Sequence, residues 1–248
     1  MATRVHSVAD VGTGLREIRL QGAELERLRF PPGSHVVVRV PTAGGEVRRV
    51  YSVWAWHPQQ ALITLRVALH ATTAPGCAWA LTAAPGDAVR IEPPRTKISI
   101  DPGAAFHVFA GDETAAVPLL SLIAALHRAA TTRPPRVIGV FESAAVDTEV
   151  PGAEGVPSVL WVHRGRASAI ASPVLVQAVR RLALPAGVGV AYLAGESETC
   201  RLLQRHFIEV RGWPRRAVKV QPQWARGRPG FGAGTDEPEH PRGRRPGP

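Results

Sequence analysis

Two rhythms in the sequence predict a two-domain fold of β and α/β halves. A six-stranded antiparallel β-barrel is expected over residues 1–102, and an α/β domain with a mainly parallel sheet over residues 103–227. The first rhythm is short alternating runs punctuated by Gly and Pro, the signature of a small barrel. The second, beginning after Pro102-Gly103, is strand followed by helix. A chain of 248 residues suits two modest domains, each able to bury a core.

The clearest strand is Ala61 to His70, where Ile63, Leu65, Val67 and Leu69 alternate with Thr64, Arg66, Ala68 and His70. Five further runs, Leu15–Leu20, His35–Val40, Val50–Trp54, Val89–Ile91 and Ile98–Ile100, complete the six. Turns are marked by Pro31-Pro32-Gly33, Gly44-Gly45, Pro85-Gly86 and Pro93-Pro94. In the second half, the apolar Phe106–Ala110 turns at Gly111 into a helix-compatible Ala115–Ala129. Strands at Val137–Phe141, Val159–Val162 and Val188–Ala194 alternate with helices at Pro173–Leu182 and Glu198–Arg211, the last with Leu203, Phe207 and Val210 on one stripe. Residues 228–248 combine Gly, Pro and charge without periodicity and are expected to be a disordered tail.

Composition narrows the chemistry. The only cysteines are Cys77 and Cys200, so a four-thiolate zinc or iron–sulfur site within the chain is excluded, and redox chemistry requires an organic cofactor. No run approaches the roughly 18 apolar residues of a membrane span, and the N-terminus lacks the apolar stretch of a secretion signal. A cytoplasmic location is therefore expected. The net charge of +10 is partly a tail effect: five arginines from Arg226 onward face Asp236, Glu237 and Glu239, leaving +8 for the body. Scattered arginines with few aromatics argue against a nucleic-acid reader and for pockets that take phosphorylated cofactors or an anionic substrate, although solvated surface arginine accounts for part of the excess.

Four segments carry candidate chemistry. Arg49-Val50-Tyr51-Ser52 lies on a predicted strand, with Arg49 and Tyr51 on one face and Ser52 on the other. A cation, a ring and a hydroxyl in one segment are what a flavin requires, yet an ordinary strand carries the same residues. His70 to Ala80 ends in Pro75-Gly76-Cys77-Ala78-Trp79-Ala80 and opens a short helix, where small residues let backbone amides reach a pyrophosphate; Trp79 is equally a core anchor. Gly111-Asp112-Glu113-Thr114-Ala115 turns from strand to helix with Thr114 as N-cap candidate, and Tyr192–Ser197 repeats the design with Ser197 as cap. Such strand ends are where open α/β sheets bind ligands, but the GxGxxG fingerprint is absent.

In this order the segments resemble the siderophore-interacting protein family, FAD-dependent reductases related to the ferredoxin-reductase fold, over most of residues 5–227. The resemblance rests on Arg49, Tyr51 and Ser52; on His70, Trp79 and Ala80; on Pro85-Gly86-Asp87; on Gly111–Ala115; on Trp161–Arg164; and on Ala194-Gly195-Glu196. It implies FAD on the barrel, its pyrophosphate held by residues 76–80, and NADPH or NADH at Asp112, Glu113, Thr114, Ala115, Gly195 and Glu196. It also implies a ferric siderophore as the small-molecule substrate, met in the region of Trp224, with reduction of Fe3+ to Fe2+ and no general acid or base; the charge of Arg226 and Arg228 suits an anionic chelate, and equally a disordered basic tail. No nucleic-acid or membrane partner is expected, and a monomer is the starting expectation for an open oligomeric state.

The chain departs from the family pattern at Trp54, where Arg is usual; at Gly76, which follows Pro75 instead of preceding it; by one residue between Ala115 and Pro118; and at Gln223, which replaces a tyrosine beside Trp224. These changes touch the flavin edge and the acceptor region. They motivate a second reading, a flavin-dependent reductase of a biosynthetic pathway with a different acceptor. A third is a non-catalytic anion- or nucleic-acid-binding module.

Overall fold

The computed structural model describes residues 1–69, 74–130, 135–153, 156 and 158–227. His70 and the tail 228–248 lie outside the described residues.

The first half consists of β1 (Ala2–Gly12), β2 (Leu15–Gln21), α1 (Glu24–Arg27), β3 (Ser34–Thr42), β4 (Gly45–His57), β5 (Leu62–Ala68), α2 (Pro75–Thr82), β6 (Ala88–Ile91) and β7 (Arg95–Thr96). Its strands run β4-β5-β2-β1-β6-β3, and the antiparallel pairing of β3 with β4 closes the barrel at six. Closure removes the unpaired edges that an open sheet exposes. Inside lie Ile18, Leu20, Val36, Val38, Val53, Ile63, Leu65 and Ile91, with Trp79 and Ala80 of α2 stoppering the barrel.

The strand census differs from expectation at two places. β1 escapes sequence periodicity because its buried positions mix Thr3 with Val5, its exposed ones mix Ala2 and Ala9 with Arg4, His6 and Asp10, and a register irregularity near Val5 and Ser7 interrupts its alternation. Ile98–Ile100 is not a strand: Ile98 is buried in the seam between the two halves, near Leu122, and the ladder partner of β3 is instead the two-residue β7 just before it.

The second half consists of β8 (His107–Asp112), α3 (Glu113–Ala129), β9 (Val137–Ser143), β10 (Val159–His163), α4 (Pro173–Arg180), β11 (Val190–Glu196), α5 (Ser197–Arg205) and β12 (Val218–Trp224). All pairings in the order β10-β9-β8-β11-β12 are parallel. Parallel sheets are covered on both faces, hence the continuous burial of β8 and β11. α3 covers one face with Leu119, Leu120 and Ile123, and α4 and α5 cover the other with Leu175, Val179 and Leu203.

The expected stripe on the last helix breaks at its end. Leu203 and Phe207 are buried, but Val210 is 71% exposed, because His206–Val210 form a π-helical turn that shifts the phase of the face. The two halves meet along a seam in which Leu15, Trp54 and Ile98 join the α3 cluster.

Candidate functional site

The barrel contributes one face. On β4, the register to β3 pairs Arg49 with Val38, Tyr51 with Val36 and Ser52 with His35. Cross-strand partners share a face, so Arg49 and Tyr51 point towards the barrel interior and α2, while Ser52 and Val50 point outward. The Tyr51 ring packs 5.6 Å from Trp79 at a 39° tilt, and a Cβ on Gly76 would collide with its hydroxyl. Burial and the neighbouring Cys77 hold the Tyr51 phenol well above its ordinary value, against the opposing pull of Arg49. It therefore stays neutral at physiological pH. Arg49 lies partly buried beside Gly76, its Nη1 donating to the Arg48 carbonyl at 2.8 Å.

Arg49, Tyr51, Gly76, Cys77 and Trp79, all singled out in the sequence, are thus brought together. Cys77 is buried and donates weakly to the Ala68 carbonyl at 3.5 Å, and Ala78 closes the first turn of α2 by donating to the Ala74 carbonyl at 2.9 Å.

The N-terminus of α2 differs from those on the sheet. Its N-cap is Ala74, which offers no side-chain acceptor, so among the described residues no side chain caps its first-turn amides. The helices of the second half are closed by their own chain. Asp112 caps α3 by accepting from Thr114 and Ala115, and Glu196 caps α5 by accepting from Glu198 and Thr199. Ser172 caps α4, with Glu142 also accepting from the Leu175 amide at 3.1 Å. Thr114 and Ser197 are therefore not the caps the sequence suggested. A carboxylate one or two residues earlier spans the distance to two amides at once and carries a full negative charge at the positive end of the helix, so it displaces the hydroxyl.

Asp112 is the hinge pin of this edge. Its Oδ1 accepts from the Thr114 amide (3.0 Å), the Thr114 hydroxyl (2.5 Å) and the Ala115 amide (3.3 Å); its Oδ2 accepts from the Glu196 amide (2.8 Å) and the Trp224 indole (3.0 Å). One buried carboxylate thereby joins the ends of β8, β11 and β12 to α3. Burial pushes its pKa up, opposed by the Thr114 and Trp224 donors. Gly195 has φ +111°, and a Cβ there would press on the Asp112 carboxyl at 2.7 Å, so glycine is required twice over. Gly111 is required by closeness alone, to Ala115 and to the Ala194 carbonyl.

Beside it, the Glu113 carboxylate receives both Arg164 amino groups, at 2.5 and 2.8 Å, and Arg164 also reaches Glu142 at 3.5 Å. Burial would raise the Glu196 carboxyl, but donation from Glu198, Thr199 and Ala171 outweighs it and leaves the pKa below the ordinary value. The strand ends therefore gather Asp112, Glu113, Thr114, Ala115, Gly195 and Glu196 as expected, though largely in hydrogen bonds to one another. Trp224 sits at the same edge with its indole N–H engaged, and Arg226 is exposed two residues on.

Trp54 joins the seam. Arg66 stacks over its ring at 3.7 Å while donating to Glu17 at 3.2 Å and to the Pro151 carbonyl at 2.6 Å, tying barrel to α/β half. Sequence alone gave no signal for the Asp112–Trp224 or Arg66–Pro151 contacts, whose partners lie 112 and 85 residues apart. Among the described residues, no His/Cys/Asp/Glu cluster is suited to a metal ion, and no helix is long and apolar enough to cross a membrane.

A closed antiparallel barrel joined to a five-stranded parallel sheet, with an aromatic-cationic strand beside an uncapped helix, defines the two-domain fold of flavin-dependent reductases. The family patterns agree: "Siderophore-interacting FAD-binding domain" matches residues 31–98, and "Siderophore-interacting protein" matches residues 104–227. The chain belongs to the siderophore-interacting protein family.

Among solved structures, it resembles a siderophore utilization protein from T. fusca (23% identity, TM-score 0.79, covering 94% of this chain and 95% of that one). It also resembles the siderophore-interacting protein SipS from Aeromonas hydrophila (20%, 0.78, 92% of each). Phthalate dioxygenase reductase shares the fold at 19% identity and TM-score 0.69, over 90% of this chain and 67% of that one. No curated protein sequence matches the chain.

Proposed function

We propose that this FAD-dependent reductase takes hydride from NADPH or NADH and passes electrons to a chelated ferric ion, releasing Fe2+. The observation that carries the flavin part is the junction of β4 with α2. A helix N-terminus without a side-chain cap among the described residues, a partly buried Arg49 and a glycine with no room for a Cβ meet beside the Tyr51 ring. Helix-terminal amides and a guanidinium are complementary to a pyrophosphate. Tyr51, neutral and held against Trp79, supplies an aromatic wall, and Ser52 offers a hydroxyl on the outward face.

Bound FAD supplies two-electron uptake and one-electron release. The protein binds, orients and excludes water, so an acid–base triad is not needed. At the sheet edge, the amides of α3 and α5 are already occupied by Asp112 and Glu196. A nicotinamide nucleotide bound at these strand ends would need phosphate donors other than those amides.

The reading of the acceptor is supported by the basic body and by family membership. A second reading keeps the flavin and changes the acceptor, and it draws on Trp54, whose place in the Arg66 stack puts an aromatic seam where the family pattern usually has an arginine.

The test is the purified full-length chain. It should bind FAD with flavin absorbance, and under anaerobic conditions NADPH or NADH should bleach it until a ferric chelate is added, with a ferrous-specific dye reporting product. Bleaching without ferrous product would favour the second reading. Arg49→Ala should weaken FAD binding roughly 10- to 100-fold, the worth of a charge-assisted hydrogen bond; unchanged affinity would remove the flavin face from β4.

A further inference from the structure

The barrel face that carries Ser52 holds a second polar group that the fold does not satisfy. His35 is 4% exposed, and its Nδ1 has no hydrogen-bond partner among the described residues. Buried polar atoms are nearly always paired, and leaving one unpaired costs as much as a made hydrogen bond gains. Its neighbours explain why nothing inside the chain takes the atom. Ser34, next along β3, directs its hydroxyl to the Pro31 carbonyl at 2.5 Å and lies 3.2 Å from the Thr96 hydroxyl. On the other flank, Arg95 is the ladder partner on β7, and with Lys97 it supplies only positive charge. Burial, reinforced by those two cations, holds the imidazole below its ordinary pKa, so it is neutral at pH 7. Directly opposite His35 on β4 lies Ser52.

From this juxtaposition we propose that His35 is a flavin-positioning residue: its unpaired Nδ1 and the Ser52 hydroxyl, cross-strand neighbours on one face, together receive the polar edge of the isoalloxazine. The inference rests on the flavin reading of β4 and extends it to β3. It accounts for an imidazole at a buried position where leucine would fill the space without an orphaned atom. In the FAD-free chain His35 is a liability, and in the loaded chain it becomes a bond. That opposition of signs separates it from a residue that merely packs.

The experiment uses the full-length chain stripped of flavin and titrated with FAD, comparing wild type with His35→Leu, His35→Asn, Ser52→Ala and Arg49→Ala. FAD-free His35→Leu should melt a few degrees above wild type while binding FAD about tenfold more weakly. His35→Asn, which restores a polar atom near the Nδ1 position, should recover much of that affinity. In wild type, the 15N resonance of His35 Nδ1 should move towards a hydrogen-bonded value when FAD is added, a readout that needs no variant. Unchanged affinity in His35→Leu, or an unmoved Nδ1 resonance, overturns the proposal. So does a joint fall in stability and affinity that Asn does not rescue. If Arg49→Ala and Ser52→Ala also keep FAD, the flavin reading of β4 itself has failed; if they lose it while His35→Leu does not, only the role of His35 falls.

Discussion

At Asp112, a single side chain decides whether the sheet edge holds together, because five donors from α3, β11 and β12 converge on it. Asp112→Asn keeps the shape but replaces one acceptor oxygen with a donor facing donors. Whichever way the amide turns, at least two of the five hydrogen bonds are lost in a buried site. The expected cost is about 3 kcal/mol, read as a lower denaturant midpoint with unchanged slope. Gly195→Ala attacks the same junction from the backbone, adding strain at φ +111° to a clash with the carboxyl, and should cost about 2–4 kcal/mol. Neither change touches the barrel, so FAD affinity measured below the melting temperature should be preserved in both. A variant that lost FAD instead would show that the two halves are coupled through this residue.

Elements, more than residues, separate the two ends of the site. α3, α4 and α5 begin on carboxylate or hydroxyl caps supplied by their own chain, whereas α2 begins on Ala74. An N-cap acceptor stabilises a helix by about 1 kcal/mol, so Ala74→Asp should raise the melting temperature of the FAD-free chain by a few degrees. The same carboxylate would occupy the amides and repel a pyrophosphate, so FAD affinity should drop more than tenfold; a gain in both stability and affinity would place the pyrophosphate elsewhere. Much of this element pattern was legible in the sequence. Alternating apolar positions such as Ile63, Leu65 and Val67 mark β5, and the glycine turns at Gly111 and Gly195 mark the strand ends. The illegible parts have physical causes. Thr114 and Asp112 both suit a cap, and only the approach of the Glu196 amide and the Trp224 indole gives the aspartate a second role. Ile98 reads as a strand residue by hydrophobicity alone, while its burial comes from a helix in the other half. The orphaned Nδ1 of His35 is invisible in a list of residues, since its lack of a partner is a property of the packed fold.

Among the described residues three histidines are buried, one in the barrel and two in the α/β half, and they make acid stability a property of both domains. Burial lowers the pKa of His35, His107 and His206; Arg95 and Lys97 add to the effect at the first, Lys219 at the second against Asp101, and Arg211 and Arg180 at the third. A lowered folded-state pKa means that the unfolded chain binds the proton more readily. Stability from these groups is therefore fully present above the unfolded histidine value near pH 6.5 and declines as pH falls through it. The raised carboxyls of Asp112 and Glu142 act in the opposite direction, since the folded state takes their protons first, so raw melting curves mix the two signs. His206 isolates one contribution. Its Nε2 accepts from Arg211 Nε at 3.0 Å, and Arg211 in turn donates to the Leu182 carbonyl at 3.0 Å, fastening the π turn to the end of α4. Protonating the imidazole removes that acceptor and sets a cation against Arg211. His206→Gln keeps an acceptor that does not titrate, so it should be about 1 kcal/mol less stable than wild type at pH 7.5 through poorer packing. That gap should narrow steadily between pH 6.5 and pH 5, as measured by urea midpoints at each pH. A gap independent of pH would mean that His206 holds the turn by shape alone, and that its neutral charge state contributes nothing to the acid limit of the fold.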